Sequence, residues 1–201
     1  MELYGTANSP YTRIVRVLAA ELGFEPQLRP MAWRETPDAL FALNPTGRVP
    51  VLIDGDLRLT DSRVICAYLA QHPQARVPSD LRLPAGHSRW DEETLMTLAY
   101  GILDSGGVLR VMRDPPAVTH PYLDRSSRRI ENSLAAIDQR CARGYLVEAG
   151  TFGLAEIAVL TAADAIAAAG LAAVDQYRQL QVVRERWRDR PSLVATAPRF
   201  G

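Results

Sequence analysis

The chain has 201 residues, of which 47% are hydrophobic and 23% are charged, the ordinary composition of one large or two small globular domains. Its formal net charge is zero, so we expect no bulk electrostatic attraction to nucleic acid or to an anionic membrane. All 23 basic residues are arginines, and the absence of lysine excludes a Walker-type phosphate loop, Schiff-base chemistry and a lysine general base.

The first part of the chain alternates strand and helix patterns. The predicted elements are a strand at 3–4, a helix over 10–22, a strand over 24–29 and a short helix over 36–43. Ser9 is the predicted N-cap of the first helix, Pro10 occupies its first position, and Gly23 ends it. This alternation predicts an α/β layer.

The stretch from Asn44 to Leu69 contains the clearest local signals. An apolar run over 51–53 predicts a strand, and Asp54-Gly55 predicts a hairpin turn into a returning strand over 57–60. Asp61-Ser62 then supplies short polar side chains where the next helix begins.

The remaining chain is helical in pattern. We expect domains over residues 1–76 and 85–201, joined by a proline-containing linker over 77–84. The predicted helices cover 89–109, 121–143, 154–169 and 177–190. Residues 154–169 are almost all apolar, so this helix should be the buried centre of a helical bundle. The fold class expected is α/β followed by all-α.

The cysteines and histidines give no sign of a metal or dithiol site. Cys66 and Cys141 are far apart on apolar faces of predicted helices, and no Cys-x-x-Cys pair is present. The three histidines are isolated, so we expect no metal. The chain opens on a strand pattern, without a signal peptide, and contains no apolar run of membrane-spanning length, so we expect a cytoplasmic protein.

Three positions present free backbone groups or polar caps to a ligand. The start of a helix stabilises an anion by about 0.3–1 kcal/mol, or by up to about 2 kcal/mol when it is partly buried. The pKa of a thiol bound at Ser9-Pro10 would therefore be lowered. Val49-Pro50 pairs with an extended peptide if the proline is cis, whereas a trans proline at a strand entrance is ordinary. Asp61 suits an ammonium group, and Ser62 with the helix start suits a carboxylate.

Each of these positions is also explained alone as a helix cap or a strand entrance. Together these positions favour a ligand that has a thiol, a peptide backbone and a terminal amino-acid group. Glutathione is such a ligand.

The whole chain resembles a bacterial cytosolic glutathione S-transferase. Ser9-Pro10-Tyr11 followed by Arg16 is similar to the serine and cysteine classes, the zeta- and omega-like enzymes. The stretch over 44–52 resembles the family's cis-proline signature, and Asp61-Ser62 resembles its acidic-serine pair. The resemblance implies a thioredoxin-like N-terminal domain, a helical C-terminal domain and a homodimer.

The resemblance also implies roles for individual residues. Ser9 would stabilise the thiolate, Val49 and Pro50 would face the cysteinyl backbone, and Asp61 and Ser62 would hold the γ-glutamyl end. The resemblance implies more weakly that Arg34 or Arg48 would bind the glycine carboxylate. It also implies an electrophile in a cleft between the domains, lined by Tyr11, Tyr100, Leu103 and Met112.

Other residues and other functions fit the same sequence pattern. Asn8 or, less readily, Tyr4 replaces Ser9 as the thiol partner in related classes. A glutathione-dependent disulfide reductase or peroxidase, or a non-catalytic protein-binding module of the stringent-starvation type, has the same expected fold. The chain also departs from the family at the start of a helix in its second domain, where Gly153 and Glu156 replace a serine or threonine and an aspartate.

Overall fold

The structure, a computed structural model, describes residues 1–31, 37–86, 88–112 and 120–198. Among these, residues 1–81 and 189–198 form one compact unit, and residues from 82 to 188 form a second. The predicted linker over 77–84 lies at this division, but the C-terminal residues belong to the first unit rather than to the predicted domain over 85–201.

The elements confirm the expected class, a thioredoxin-like mixed sheet with helices followed by a helical region. In chain order they are β1 (Glu2–Gly5), α1 (Pro10–Glu21), β2 (Gln27–Pro30), α2 (Pro37–Leu43), β3 (Val51–Asp54), β4 (Leu57–Thr60), α3 (Ser62–Gln71), β5 (Leu81–Arg82), α4 (Ser88–Met112), α5 (Pro121–Arg140), β6 (Phe152–Gly153), α6 (Leu154–Ala168), α7 (Arg178–Trp187) and α8 (Pro191–Ala195).

The sheet of the first unit has the strand order β2-β1-β3-β4. β1 pairs in parallel with β2, whereas β3 is antiparallel to both β1 and β4. The hairpin places Val51 opposite Thr60, so the entrance of β3 and the exit of β4 lie side by side. The loop before β3 and the start of α3 therefore meet at the same end of the sheet.

Several predicted boundaries shift. The strand expected over 24–29 begins only at Gln27, and the helix expected over 177–190 ends at Trp187, with the unpredicted α8 following from Pro191. The helix expected over 89–109 continues through Gly106 to Met112. A Cβ at Gly106 would lie 2.5 Å from Cδ1 of Ile166, so glycine here permits close packing of α4 against α6.

Within the described part of the chain, one helix, α4, is long and apolar enough to cross a membrane by length and composition, with a mean hydropathy of 1.2 over an 18-residue window. The expectation that no apolar run reaches this length is therefore wrong by this criterion. Core helices of globular proteins also meet it, and α4 packs against α5 and α6.

The C-terminal residues join the first unit through an ion-pair cluster. Arg190 donates to both carboxylate oxygens of Glu21 at 2.8 and 2.7 Å and to Asp80 at 2.8 Å. The hydroxyl of Ser192 also donates to Glu21. This two-pronged contact is between side chains that are 12% and 8% exposed, which makes it geometrically specific. It attaches the segment containing α8 to α1.

In the second unit, α6 is buried along most of its length, which confirms its predicted central position. A second buried feature lies at its start. Arg82 donates to Glu156 at 2.7 Å and to Glu92 at 3.2 Å, and both carboxylate side chains are at most 1% exposed. Their oxygens also accept from the backbone of α6's first turn, Glu156 from Gly153 N at 2.9 Å and Glu92 from Ala155 N at 3.1 Å.

This Arg82–Glu92–Glu156 cluster explains why the N-cap of α6 is glycine. A Cβ at Gly153 would lie 2.6 Å from an Nη atom of Arg82 and 2.9 Å from an oxygen of Glu92. The guanidinium group therefore occupies the space that a capping side chain would need. The carboxylates of Glu92 and Glu156 do the capping instead, and Thr151 accepts a hydrogen bond from Arg82 at 2.6 Å.

Gly153→Ser should lower the free energy of unfolding by about 1–3 kcal/mol, because the added atoms overpack a buried site. This loss is expected even though serine is ordinarily a slightly better N-cap than glycine. Gly107→Ser is the matched control, since a Cβ there meets nothing within 4 Å. It should stabilise α4 by a few tenths of a kcal/mol. Urea denaturation of both variants measures the difference, and a Gly153→Ser protein as stable as wild type would contradict the assignment.

Burial raises the pKa of the Glu156 carboxyl above its ordinary value of 4.5, although Arg82 acts in the opposite direction. The folded state therefore holds the Glu156 proton more tightly than the unfolded chain does. The stability that this bound proton contributes is fully present below the pKa of Glu156 in the unfolded chain. It is lost as the pH rises through the pKa of Glu156 in the folded protein.

Glu156→Gln removes this titration, so its free energy of unfolding should fall less than that of wild type as pH rises above about 4.5. Denaturation at a series of pH values measures the two slopes. Glu185→Gln, at a side chain 66% exposed in the same unit, controls for the loss of one carboxylate. Equal slopes for Glu156→Gln and wild type would rule out this contribution.

Candidate functional site

The start of α1 has the geometry expected from the sequence. Ser9 is the N-cap, with Pro10 as the first helical residue, and its Oγ accepts a hydrogen bond from Thr12 N at 3.3 Å. A hydroxyl group that accepts through a lone pair keeps its own proton for donation. Ser9 is thus able to cap the helix and to donate to an anion in front of it.

Of the alternatives to Ser9, Tyr4 is engaged elsewhere. Its hydroxyl donates to Glu2 at 3.1 Å, and this hydrogen bond to a carboxylate raises the pKa of the Tyr4 phenol. A phenol that is harder to ionise and already hydrogen-bonded is poorly suited to stabilise a thiolate. Asn8 is exposed at the same end of β1 as Ser9, in the turn that precedes α1.

The loop between α2 and β3 is organised by one side chain, that of Asn44. Its Nδ2 donates to the carbonyl of Arg48 at 2.7 Å, while its Oδ1 accepts from Thr46 N at 3.0 Å and from Thr46 Oγ1 at 2.9 Å. Gly47 adopts a φ of 62° in this loop, and a Cβ there would lie 2.7 Å from the ring of Phe41. The loop leads into the Val49–Pro50 peptide bond, which is cis.

The start of α3 faces the same end of the sheet. Asp61 has a φ of 72° and a ψ of 129°, a strained backbone conformation for a residue other than glycine. Its Oδ1 caps α3 by accepting from Arg63 N at 2.8 Å. Ser62 follows as the first helical residue and is 2% exposed. Asp61 remains exposed, so its carboxylate is accessible to a cation while the helix start favours an anion.

The loop and the helix start enclose a cleft of about 440 Å³, within the usual size range of small-molecule sites. Its lining residues are Tyr11, Asn44, Thr46, Arg48, Val49, Pro50, Thr60, Asp61 and Ser62. The cleft thus combines a cation, a carboxylate, hydroxyl groups and strand-entrance backbone. This combination suits a zwitterionic, peptide-like ligand.

The cleft gathers most of the predicted ligand residues of the first unit. Five of the seven predicted glutathione residues line it, namely Arg48, Val49, Pro50, Asp61 and Ser62. Ser9 is not among the described lining residues, whereas Tyr11, two positions further along α1, is. Arg34 lies outside the described residues.

The residues predicted for an electrophile pocket belong to both units. Tyr11 lines the cleft of the first unit, whereas the other three lie on α4 in the second. On α4, Tyr100 is half-buried, Leu103 is 4% exposed and Met112 is 43% exposed. Their role in binding an electrophile stays a prediction.

Sequence reasoning missed three lining residues, Asn44, Thr46 and Thr60. The signal for Asn44 was present, because an asparagine beside a proline and followed two residues later by threonine is typical of a turn closed by the asparagine side chain. Thr60 was assigned only to the hairpin, yet its position opposite Val51 places it beside the strand entrance.

The protein's own thiols are not available for chemistry in this cleft. Burial, and secondarily the Asp61 carboxylate, raises the pKa of the Cys66 thiol, and burial raises that of Cys141 to about 12. Both side chains are at most 1% exposed. Among the described residues, no group of three or more histidine, cysteine or acidic side chains is arranged to hold a metal ion. Any reactive thiol here would come from the ligand.

Comparison with known proteins shows what the first unit resembles. Residues 3–76 match the family model described as glutathione S-transferase, N-terminal domain. The first unit is therefore similar to a glutathione S-transferase N-terminal domain over the matched residues. The match contains α1, the loop before β3 and the start of α3, so all the lining residues of the cleft fall within it.

Two curated relatives share this domain. A probable glutathione S-transferase from Oryza sativa is 40% identical over 99 residues, which are 46% of this chain and 45% of the relative. A stringent starvation protein A homolog from Haemophilus influenzae is 36% identical over 76 residues, 36% of each chain. The chain therefore spans less than half of the length of these relatives.

A solved structure extends the likeness to the whole chain. A glutathione transferase family member from Pseudomonas fluorescens, with bound S-(propanoic acid)-glutathione, has a TM-score of 0.82 and 29% identity, and the alignment covers 100% of both chains. The chain thus has the fold of this glutathione transferase structure, a thioredoxin-like first unit followed by a helical region.

Proposed function

We propose that the protein is a glutathione transferase that binds glutathione in the cleft of the first unit and conjugates its thiolate to a small electrophile. The observation that supports this most directly is the set of complementary groups in one cleft, a cation, an accessible carboxylate, a helix start and a cis-proline strand entrance. Glutathione has a carboxylate or ammonium group at each end of a short peptide, which matches this set.

The proposed binding mode distributes the tripeptide along the cleft. Asp61 and Ser62 hold the γ-glutamyl end, the Val49 backbone pairs with the cysteinyl residue, and Arg48 attracts the glycine carboxylate. The thiol then lies toward α1, where Ser9 donates a hydrogen bond to the thiolate. Arg34 remains a second candidate for the glycine carboxylate.

Ser9 promotes the reaction by stabilising the charged form of the sulfur. A hydrogen bond to an ionised group contributes about 1.5–3 kcal/mol, and each 1.36 kcal/mol corresponds to one pKa unit. The field of the α1 start adds to this effect. The thiol releases its proton to solvent, the thiolate attacks the electrophile, a carbon–sulfur bond forms, and the leaving group departs with its electron pair.

Further features are proposed from the family likeness. We assign the chain to the serine-type enzymes, zeta- or omega-like, because of Ser9-Pro10-Tyr11. Tyr11, Tyr100, Leu103 and Met112 are the proposed contacts of the electrophile. A homodimer, a cytoplasmic location, the absence of a metal cofactor and the lack of nucleic-acid or membrane partners stay predictions.

The stringent starvation homolog supports a second candidate function, a non-catalytic binding module on the same fold. A glutathione-dependent disulfide reductase or peroxidase is the catalytic alternative. Three assays separate these functions: retention on immobilised glutathione, conjugation of a chloronitrobenzene, and turnover of glutathionyl disulfides or hydroperoxides. Retention with conjugation supports the transferase, turnover of disulfides or peroxides alone supports the reductase, and neither retention nor turnover supports the binding module.

Ser9→Ala should raise the pKa of bound glutathione's thiol by about one to two units, because the hydroxyl hydrogen bond to the thiolate is lost. Ultraviolet absorbance of the thiolate, titrated against pH at saturating glutathione, measures this pKa directly. Asn8→Ala is the matched control at the neighbouring position.

Ser9→Ala should leave the affinity for S-methylglutathione unchanged, since that ligand has no ionisable thiol. An unaltered thiol pKa in Ser9→Ala together with a raised one in Asn8→Ala would transfer the role to Asn8.

A further inference from the structure

Asn44 and Ser62 are the least exposed polar residues in the cleft lining, at 2% each. Asn44 follows the last residue of α2, and its backbone N–H still donates to Leu40 at 2.8 Å. Its side chain makes three hydrogen bonds, all within the loop that enters β3. A buried amide with partners on both its nitrogen and its oxygen is a rigid connection.

The orientation of the Asn44 amide is determined by its partners. The Thr46 backbone N–H donates, so it requires the amide oxygen, and the Arg48 carbonyl accepts, so it requires the amide nitrogen. Neither aspartate nor an apolar side chain of similar size satisfies both partners. Only a carboxamide fits this position.

The hydrogen bond to Arg48 controls the direction of the following peptide group. The Arg48–Val49 bond is not among the cis peptide bonds of the described chain, so its C=O and N–H point in opposite directions in one plane. When Asn44 holds the Arg48 carbonyl, it also orients the N–H of Val49, the residue proposed to pair with the peptide backbone of the ligand.

The second effect concerns the hydroxyl group of Thr46. Because this hydroxyl donates its proton to Asn44 Oδ1, it presents only acceptor lone pairs to the cleft that Thr46 lines. The cleft at this point therefore favours a ligand N–H over a ligand carbonyl or carboxylate.

We infer that Asn44 is a positioning residue that sets the affinity of the cleft for a peptide ligand, by orienting the Arg48–Val49 peptide group and the Thr46 hydroxyl, without acting on the thiol. This inference rests on the proposed binding of glutathione. It separates two parts of the site, since Ser9 governs the ionisation of the sulfur and Asn44 governs how tightly the tripeptide is held.

The test compares Asn44→Asp with wild type. Aspartate keeps the shape and the acceptor for Thr46 but loses the donor for Arg48 and places a carboxylate beside its carbonyl. We expect the Kd for glutathione, measured by calorimetry, to increase about tenfold to a hundredfold. KM for glutathione should rise accordingly, while kcat and the pKa of the bound thiol at saturation stay at wild-type values.

Asn132→Asp, at an exposed asparagine on α5, is the matched control and should leave Kd unchanged. Thr46 provides a second test that does not depend on the folding of the Asn44 variant, because its side chain is exposed. Thr46→Val should weaken binding about threefold to tenfold, and Thr46→Ser should restore it, since serine keeps the hydroxyl.

A wild-type Kd in Asn44→Asp would overturn the inference. A changed pKa of the bound thiol at saturating glutathione would also overturn it, because Asn44 would then affect the ionisation of the sulfur. If Asn44→Asp does not fold, wild-type affinity in Thr46→Val would overturn it. Failure of the proposed function looks different, because the wild-type protein itself would then show no affinity for glutathione.

Discussion

The first backbone N–H groups of a helix have no partners within that helix, and the cleft depends on how this chain supplies partners at the starts of α1 and α3. Ser9 and Asp61 each satisfy one such N–H with a side-chain oxygen. Each cap also has a group left over, the Ser9 hydroxyl proton and the exposed Asp61 carboxylate. The residues that cap the two helices are therefore also the ones proposed to bind a thiolate and an ammonium group.

The same requirement is met by a different arrangement at the start of α6. There the partners come from Glu156, three residues along the helix, and from Glu92 on another helix, and Arg82 holds both carboxylates. One oxygen of each carboxylate has no hydrogen-bond partner within the described part of the chain, so the cluster is only partly satisfied. A buried cluster of this kind is weak evidence for added stability, because the cost of removing its charges from water offsets their attraction.

The distribution of reactive groups also separates the roles of protein and ligand. The two cysteines are buried, and burial raises the pKa of both thiols, so neither supplies a nucleophile at neutral pH. The cleft instead offers a hydroxyl donor, a helix start and peptide-binding backbone. In the proposed function these groups stabilise a charge that the ligand brings, and the buried cysteines argue against a dithiol oxidoreductase.

The sequence by itself determined the features that depend on neighbouring residues, such as the caps at Ser9 and Asp61, the hairpin at Asp54-Gly55, and the order of strands and helices from β1 to α3. Local hydrogen bonds and turn conformations involve residues a few positions apart, so their signals are readable along the chain. Only the tertiary structure decided that Asn44 connects the loop before β3, that Arg82 occupies the space beside Gly153, and that Arg190 joins the C-terminal residues to α1. These outcomes depend on which side chains meet when the chain is packed, and no short-range pattern contains that information.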